Sequence, residues 1–147
     1  MKPIEGKDSQ NVVDKLYDQM QEEENFFFRV RLNEEGKVSC LFWRDSMMLD
    51  DYNIFGDVLV FDTTYRTNKY NLICAPFVGT NNHWKNCMFA CAFLGDETKE
   101  SFEWVFETFK KSMRGKTPIT IFSDQDAAIA AKIRKAILKY IISSKVI

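Results

Sequence analysis

Two short apolar runs each stop on an aspartate, and that pairing limits the folds open to the chain. Val58-Leu59-Val60-Phe61 runs into Asp62, and Ile119-Thr120-Ile121-Phe122-Ser123 runs into Asp124. Each reads as a buried strand with a carboxylate at its C-terminal tip. Neighbouring strands lie about 5 Å apart, so the two tips meet if these strands are adjacent. Two carboxylates at that spacing suit one or two Mg2+ or Mn2+ ions, as nucleases and polynucleotidyl transferases use them. Each aspartate also has a plainer reading. Asp62 suits a cap on the turn Thr63-Thr64-Tyr65-Arg66, and Asp124 sits at a strand-to-helix junction where a capping Asp is common. Asp126 fits that second cap better, just ahead of Ala127-Ala128, which leaves Asp124 for other work.

The segments around these runs have clear periods. Residues 9–24 carry Val12, Val13, Leu16, Tyr17 and Met20 at helical spacing in an acidic setting. Residues 26–32 and 38–44 read as a hairpin, with Gly36 in the turn where a positive φ is wanted. Asp45 reads as the N-cap of a short helix to about Phe55, closed by Gly56. Strands are expected at 57–62, 70–78 and 86–94, joined through Arg66-Thr67-Asn68-Lys69 and Gly79-Thr80-Asn81-Asn82. A helix over 98–114 has the apolar stripe Phe102, Val105, Phe106, Phe109 and Met113, and Gly115 ends it. A strand at 118–123 leads into a helix from about Asp126 to Ile142. The core order is β-β-β-α-β-α, an α/β mixed sheet. The helical crossover sets the fourth strand parallel to the first, which brings Asp62 and Asp124 to one end of the sheet. The chain divides into an acidic helical segment (1–24), a hairpin with a short helix (25–56), and the main unit (57–147).

At 147 residues, 46% hydrophobic and with 13 Phe, the chain has ample material for one core. The net charge of -1 is unevenly placed. Residues 1–64 hold 7 Lys and Arg against 14 Asp and Glu, and residues 107–147 hold 9 against 3. The basic end reads as a solvated helix face, or as a sequence-independent DNA surface built from Lys110, Lys111, Arg114, Lys116, Lys132, Arg134 and Lys135. Arg66 and Lys69, just past Asp62, are candidate phosphate contacts. Cys40, Cys74, Cys87 and Cys91 lie in apolar stretches and read as reduced core thiols. Cys87 and Cys91 share one face of their strand. With one His and no C-x2-C pair, no zinc site is expected. His83 falls in a polar turn and reads as solvated. No glycine-rich phosphate loop or dinucleotide fingerprint is present. No apolar run is long enough for a bilayer and the N-terminus has no hydrophobic signal region, so a soluble intracellular protein is expected.

Longer strings carry a resemblance. They are Phe42-Trp43-Arg44-Asp45, Phe55-Gly56-Asp57-Val58, Phe61-Asp62-Thr63-Thr64-Tyr65-Arg66-Thr67-Asn68-Lys69-Tyr70, Ala75-Pro76-Phe77-Val78-Gly79, Asp96-Glu97-Thr98-Lys99-Glu100-Ser101-Phe102 and Ser123-Asp124-Gln125-Asp126. In this order they resemble the plant far-red-impaired-response (FAR1-related sequence) family, derived from MULE transposases, over about residues 11–133. The resemblance implies a ribonuclease-H-like fold with a DDE triad. Asp62 would be the first acid and Asp124 the second, both metal ligands for Mg2+ or Mn2+. The family's third acid lies on a later helix that this chain does not contain, nor does it contain the family's zinc fingers. The fold is thus expected to be C-terminally incomplete, with one helix left to cover the end of the sheet and an exposed Ile-rich tail.

The resemblance therefore implies a nuclear, transposase-derived regulator of transcription, truncated and catalytically inactive. It would act by associating with full-length family members, touch DNA only weakly or indirectly, and bind no membrane. The alternative is a divalent-metal-dependent nuclease remnant, with a third carboxylate from Asp126 or a partner chain.

Overall fold

Asn33 builds the first turn. Its side-chain oxygen accepts the N–H groups of Glu35 (2.9 Å) and Lys37 (3.0 Å), and Gly36 sits at φ +79, where other residues are strained. This turn joins β1 (Phe27–Leu32) to β2 (Val38–Arg44), as the sequence predicts. The computed structural model describes residues 6–64, 72–123, 127–141 and 144–147. Within these, α1 (Gly6–Glu22) precedes the hairpin. After it come α2 (Ser46–Phe55), β3 (Val58–Phe61), β4 (Ile73–Thr80), β5 (Asn86–Leu94), α3 (Lys99–Ser112), β6 (Thr120–Phe122), α4 (Ala127–Tyr140) and β7 (Lys145–Val146).

The strands form one seven-stranded sheet in the order β1-β2-β5-β4-β3-β6-β7. Pairing is antiparallel from β1 through β3. It is parallel between β3 and β6 and between β6 and β7. The hairpin thus continues the main sheet through β2 and β5. The parallel β3–β6 pair matches the sequence expectation, with Val60 opposite Phe122.

One face carries the core. Tyr52 of α2, Phe102, Phe106 and Phe109 of α3, and Ile133 and Ile137 of α4 pack on Phe42, Phe61, Phe77, Phe89 and Ile121 of the sheet. The period of 3.6 puts the stripe foreseen on α3 wholly inside: Phe102, Val105, Phe106, Phe109 and Met113 are all buried. On the other face Leu16 of α1 joins Val30, Val38, Leu41, Leu72 and Phe93.

Four details correct the sequence reading. Gly79 and Thr80 belong to β4, not to the turn, because they pair with Cys87 and Asn86. Gly56 closes α2 at φ -79, an ordinary value. It is needed for space, since a Cβ there would lie 2.4 Å from the Tyr52 carbonyl oxygen and 2.5 Å from its ring. Phe77 pairs with Ala90 but Val78 with Met88, so Phe89 is an extra residue in β5. This bulge inverts the alternation. Cys87 joins Phe89 against the core cluster while Cys91 falls outside that cluster, so the two thiols do not share a face. Finally, three isoleucines of the tail are covered, while Leu138 between them is exposed. Ile133, Ile137 and Ile141 are buried, because α4 lies against α3 and two further residues add β7 beside β6.

All four cysteines are thiols. Burial pushes the Cys40 and Cys87 thiols up, and a hydrogen bond with Cys74, then burial, does the same at Cys91. Since the thiolate is the nucleophile, an aromatic disulfide reagent at pH 8 is expected to react slowly with the native protein and promptly in urea. Equal rates would contradict this packing.

Candidate functional site

The C-terminal end of β3 is the place to look for the chemistry that the sequence suggests. Strand alternation sets Leu59 and Phe61 into the core and leaves Val58 and Val60 exposed. Asp62 follows on and is exposed. Its Oδ1 accepts the N–H of Thr63 at 2.8 Å. Thr64 then bridges to the start of β4, exchanging backbone hydrogen bonds with Cys74 at 2.9 and 3.1 Å.

Thr63 is 9% exposed, and its hydroxyl donates to Glu97 Oε2 at 3.0 Å. Glu97 lies between β5 and α3. Lys132 of α4 donates to the Glu97 carbonyl at 3.3 Å. The end of β3 therefore gathers Asp62, Thr63, Glu97 and Lys132. Sequence reasoning missed Glu97; it lies inside the matching string at 96–102, but no spacing rule ties it to Asp62.

Asp96 fixes the approach to this corner. Its Oδ1 accepts from the Ser101 hydroxyl (2.6 Å), the Thr98 hydroxyl (2.8 Å) and the Thr98 N–H (3.2 Å). Thr98 in turn caps α3 by accepting from the Ser101 N–H. Burial raises the Asp96 carboxyl, and the hydrogen bonds from Ser101 and Thr98 outweigh it, leaving the pKa lowered. Glu23 is lowered too, first by the Ser46 hydroxyl and N–H. A carboxyl lowered in the folded state stabilises the fold above its unfolded value, about 3.9 for Asp and 4.3 for Glu. That stability is lost as pH falls through the lowered folded values. The melting temperature is expected to drop below about pH 4, and less steeply in Asp96→Asn. A flat profile to pH 3 would contradict the hydrogen-bond assignment.

The other candidate residues divide. Asp124, Asp126, Arg66 and Lys69 lie outside the described residues. Phe122 pairs with Val60, and the sequence puts Asp124 two residues past the one as Asp62 is two past the other. Among the basic candidates, Arg134, Lys135 and Lys110 are exposed. Four others have partners within the chain. Lys132 reaches Glu97, Lys111 pairs with Glu107 at 3.4 Å, Lys116 donates to the Asn53 carbonyl at 2.7 Å, and Arg114 to Asn25 Oδ1 at 3.2 Å. His83 is exposed, with its N–H on Asn81 Oδ1. Among the described residues no group of three or more His, Cys, Asp or Glu could hold a metal ion, and no helix is long and apolar enough to cross a membrane.

The profile of the MULE transposase domain matches residues 58–141. The chain is 42% identical over 132 residues to Protein FAR1-RELATED SEQUENCE 5 of Arabidopsis thaliana, covering 90% of this chain and 17% of that protein. It is 37% identical to Protein FAR-RED IMPAIRED RESPONSE 1 of Arabidopsis thaliana, covering 84% of this chain and 15% of that one. For Protein FAR1-RELATED SEQUENCE 7 of the same plant the identity is 35%, over 80% of this chain and 15% of that one. The chain thus spans about a sixth of the length of these curated relatives. No solved structure matches.

Proposed function

The chain belongs to the MULE transposase domain family, in its far-red-impaired-response branch, and from that membership we propose that it is a catalytically silent module of a transposase-derived nuclear regulator of transcription, acting by protein association. In this reading residues 57–147 are a partial ribonuclease-H-like domain, preceded by the helical segment 1–24 and the hairpin and helix of 25–56. The mixed sheet, with β3 and β6 side by side and parallel, supports that arrangement. What supports a structural role at this strand end is the Asp62 carboxylate. It turns back on the N–H of its own neighbour at 2.8 Å, the capping role that an aspartate takes in a structural turn.

Association is supported by the edge of the sheet. β1 pairs only with β2 among the described strands, which leaves a row of backbone groups for a partner strand. Full-length relatives are the partners proposed. The test is sedimentation of this chain alone and mixed with full-length FAR1-RELATED SEQUENCE 5. A heavier mixed species that is lost with a proline at Val30 supports association, and two independent boundaries contradict it.

A second reading keeps the enzyme, and Glu97 is the observation that favours it. Its carboxylate meets Thr63, the residue next to Asp62, so a second acid stands at this strand end. Asp62, Glu97 and Asp124 are all oxygen donors, which suits Mg2+ or Mn2+. A bound ion would supply Lewis-acid assistance to cleavage of a phosphodiester. Thr63 would hold the Glu97 carboxylate in place, and Lys132 would tie α4 to the same corner.

A further inference from the structure

The β4–β5 turn carries a side chain that neither the core nor the Asp62 corner uses. Trp84 is 90% exposed. Its backbone sits at φ +61, a conformation that a bulky residue adopts at a cost. The turn holds it there. Asn81 Oδ1 accepts the N–H groups of His83 (2.9 Å) and Lys85 (3.1 Å). Trp84 N–H donates to the Asn81 carbonyl at 3.1 Å, and Asn81 N–H to the Lys85 carbonyl at 3.0 Å.

The indole stands at the rim of a cavity of about 510 Å³, within the range of small-ligand sites. Val58 and Val60 of β3 and Ile54 of α2 give it apolar walls, and Asp57 and Asn82 line it with hydrogen-bonding groups. Lys85 follows Trp84 in sequence and is exposed, and Asp57 is among the lining residues.

We propose that this cavity takes an unpaired base of a single-stranded nucleic acid. A nucleotide offers matching groups: a flat base for the indole, at least one N–H donor on the edge of every base, and an anionic phosphate. The base stacks on Trp84, Asp57 and Asn82 meet its edge, and Lys85 faces the phosphate. An aliphatic side chain from a protein partner would instead leave Asp57 and Asn82 desolvated without partners. Every base offers a π-face, so binding tolerates sequence. Asp57 and Asp62 flank opposite ends of β3, so this site stands apart from any metal chemistry at Asp62.

The test is a fluorescence titration of the whole chain with a single-stranded thymidine oligonucleotide. Saturable quenching is expected, weakening with salt. Trp84→Gly suits φ +61 and keeps the turn; it is expected to bind about 5- to 150-fold more weakly. Trp84→Tyr should retain most of the affinity, and Lys85→Gln should flatten the salt dependence. Unchanged affinity of a folded Trp84→Gly variant, followed by anisotropy of a labelled oligonucleotide, would overturn the proposal. So would the absence of binding, equal binding of the duplex form, or quenching that follows protein concentration alone and so marks a second copy on this face.

Discussion

Phe77→Ala is expected to destabilise the protein by about 3–5 kcal/mol, read as a lowered urea midpoint at unchanged slope. Phe77 has no exposed surface and lies on β4, in the middle of the sheet order. Its ring stacks on Phe109 of α3 at 4.3 Å with an interplanar angle of 4°. It also meets Phe61 at 4.8 Å, Phe106 at 5.8 Å and Phe42 at 5.9 Å. Removing it empties the centre of this cluster, which three strands and a helix share, so the cavity has little freedom to collapse. A domain of this size has only about 5–15 kcal/mol in total. Phe77→Leu should recover most of the loss. A change below about 1 kcal/mol in the alanine variant would mean that Phe77 does not centre the core.

Arg44→Ala is the second large effect, about 2–4 kcal/mol. Arg44 is 4% exposed. Its Nε donates to the Ser112 carbonyl at 3.0 Å, and its Nη1 donates to the Asn25 carbonyl. The guanidinium also faces the Phe27 ring at 5.5 Å. It thereby joins the last turn of α3 to the connection between α1 and β1. Burial and the like charge of Arg114 lower its pKa, yet arginine stays protonated. Without it two carbonyls lose their donor. Arg44→Lys should restore less than half, because one ammonium does not reproduce the planar fork. Full rescue by lysine, measured by the same denaturation, would show that charge alone matters.

Much of this fold is legible in the sequence because local signals agree with it. Asp45 is the cap that the sequence marks and accepts from Met48, and the 3.6 period on α3 faces the core. Asn33 and Gly36 announce their turn. What is hidden depends on long-range packing. The bulge at Phe89 needs the space above Gly79, where a Cβ would lie 2.3 Å from the ring, and no local pattern states that. β7 has only two residues, too few for a period, and its place depends on β6. Burial of the tail isoleucines follows from α3 lying beside α4, which sequence spacing does not give. At the candidate site, strand alternation foretells Asp62 at a strand tip. Glu97 is brought there by the sheet, from 35 residues away, and only its hydroxyl partner Thr63 reveals it.

In the proposed reading Asp62 serves its own turn through the Thr63 N–H and not a metal. Calorimetric titration of the purified protein with Mn2+, beside Asp62→Asn and Glu97→Gln, tests it most directly. No saturable heat is expected in any of the three, with all three folded. A saturable isotherm in the wild type that both substitutions abolish would contradict it and establish the carboxylate corner as a metal centre.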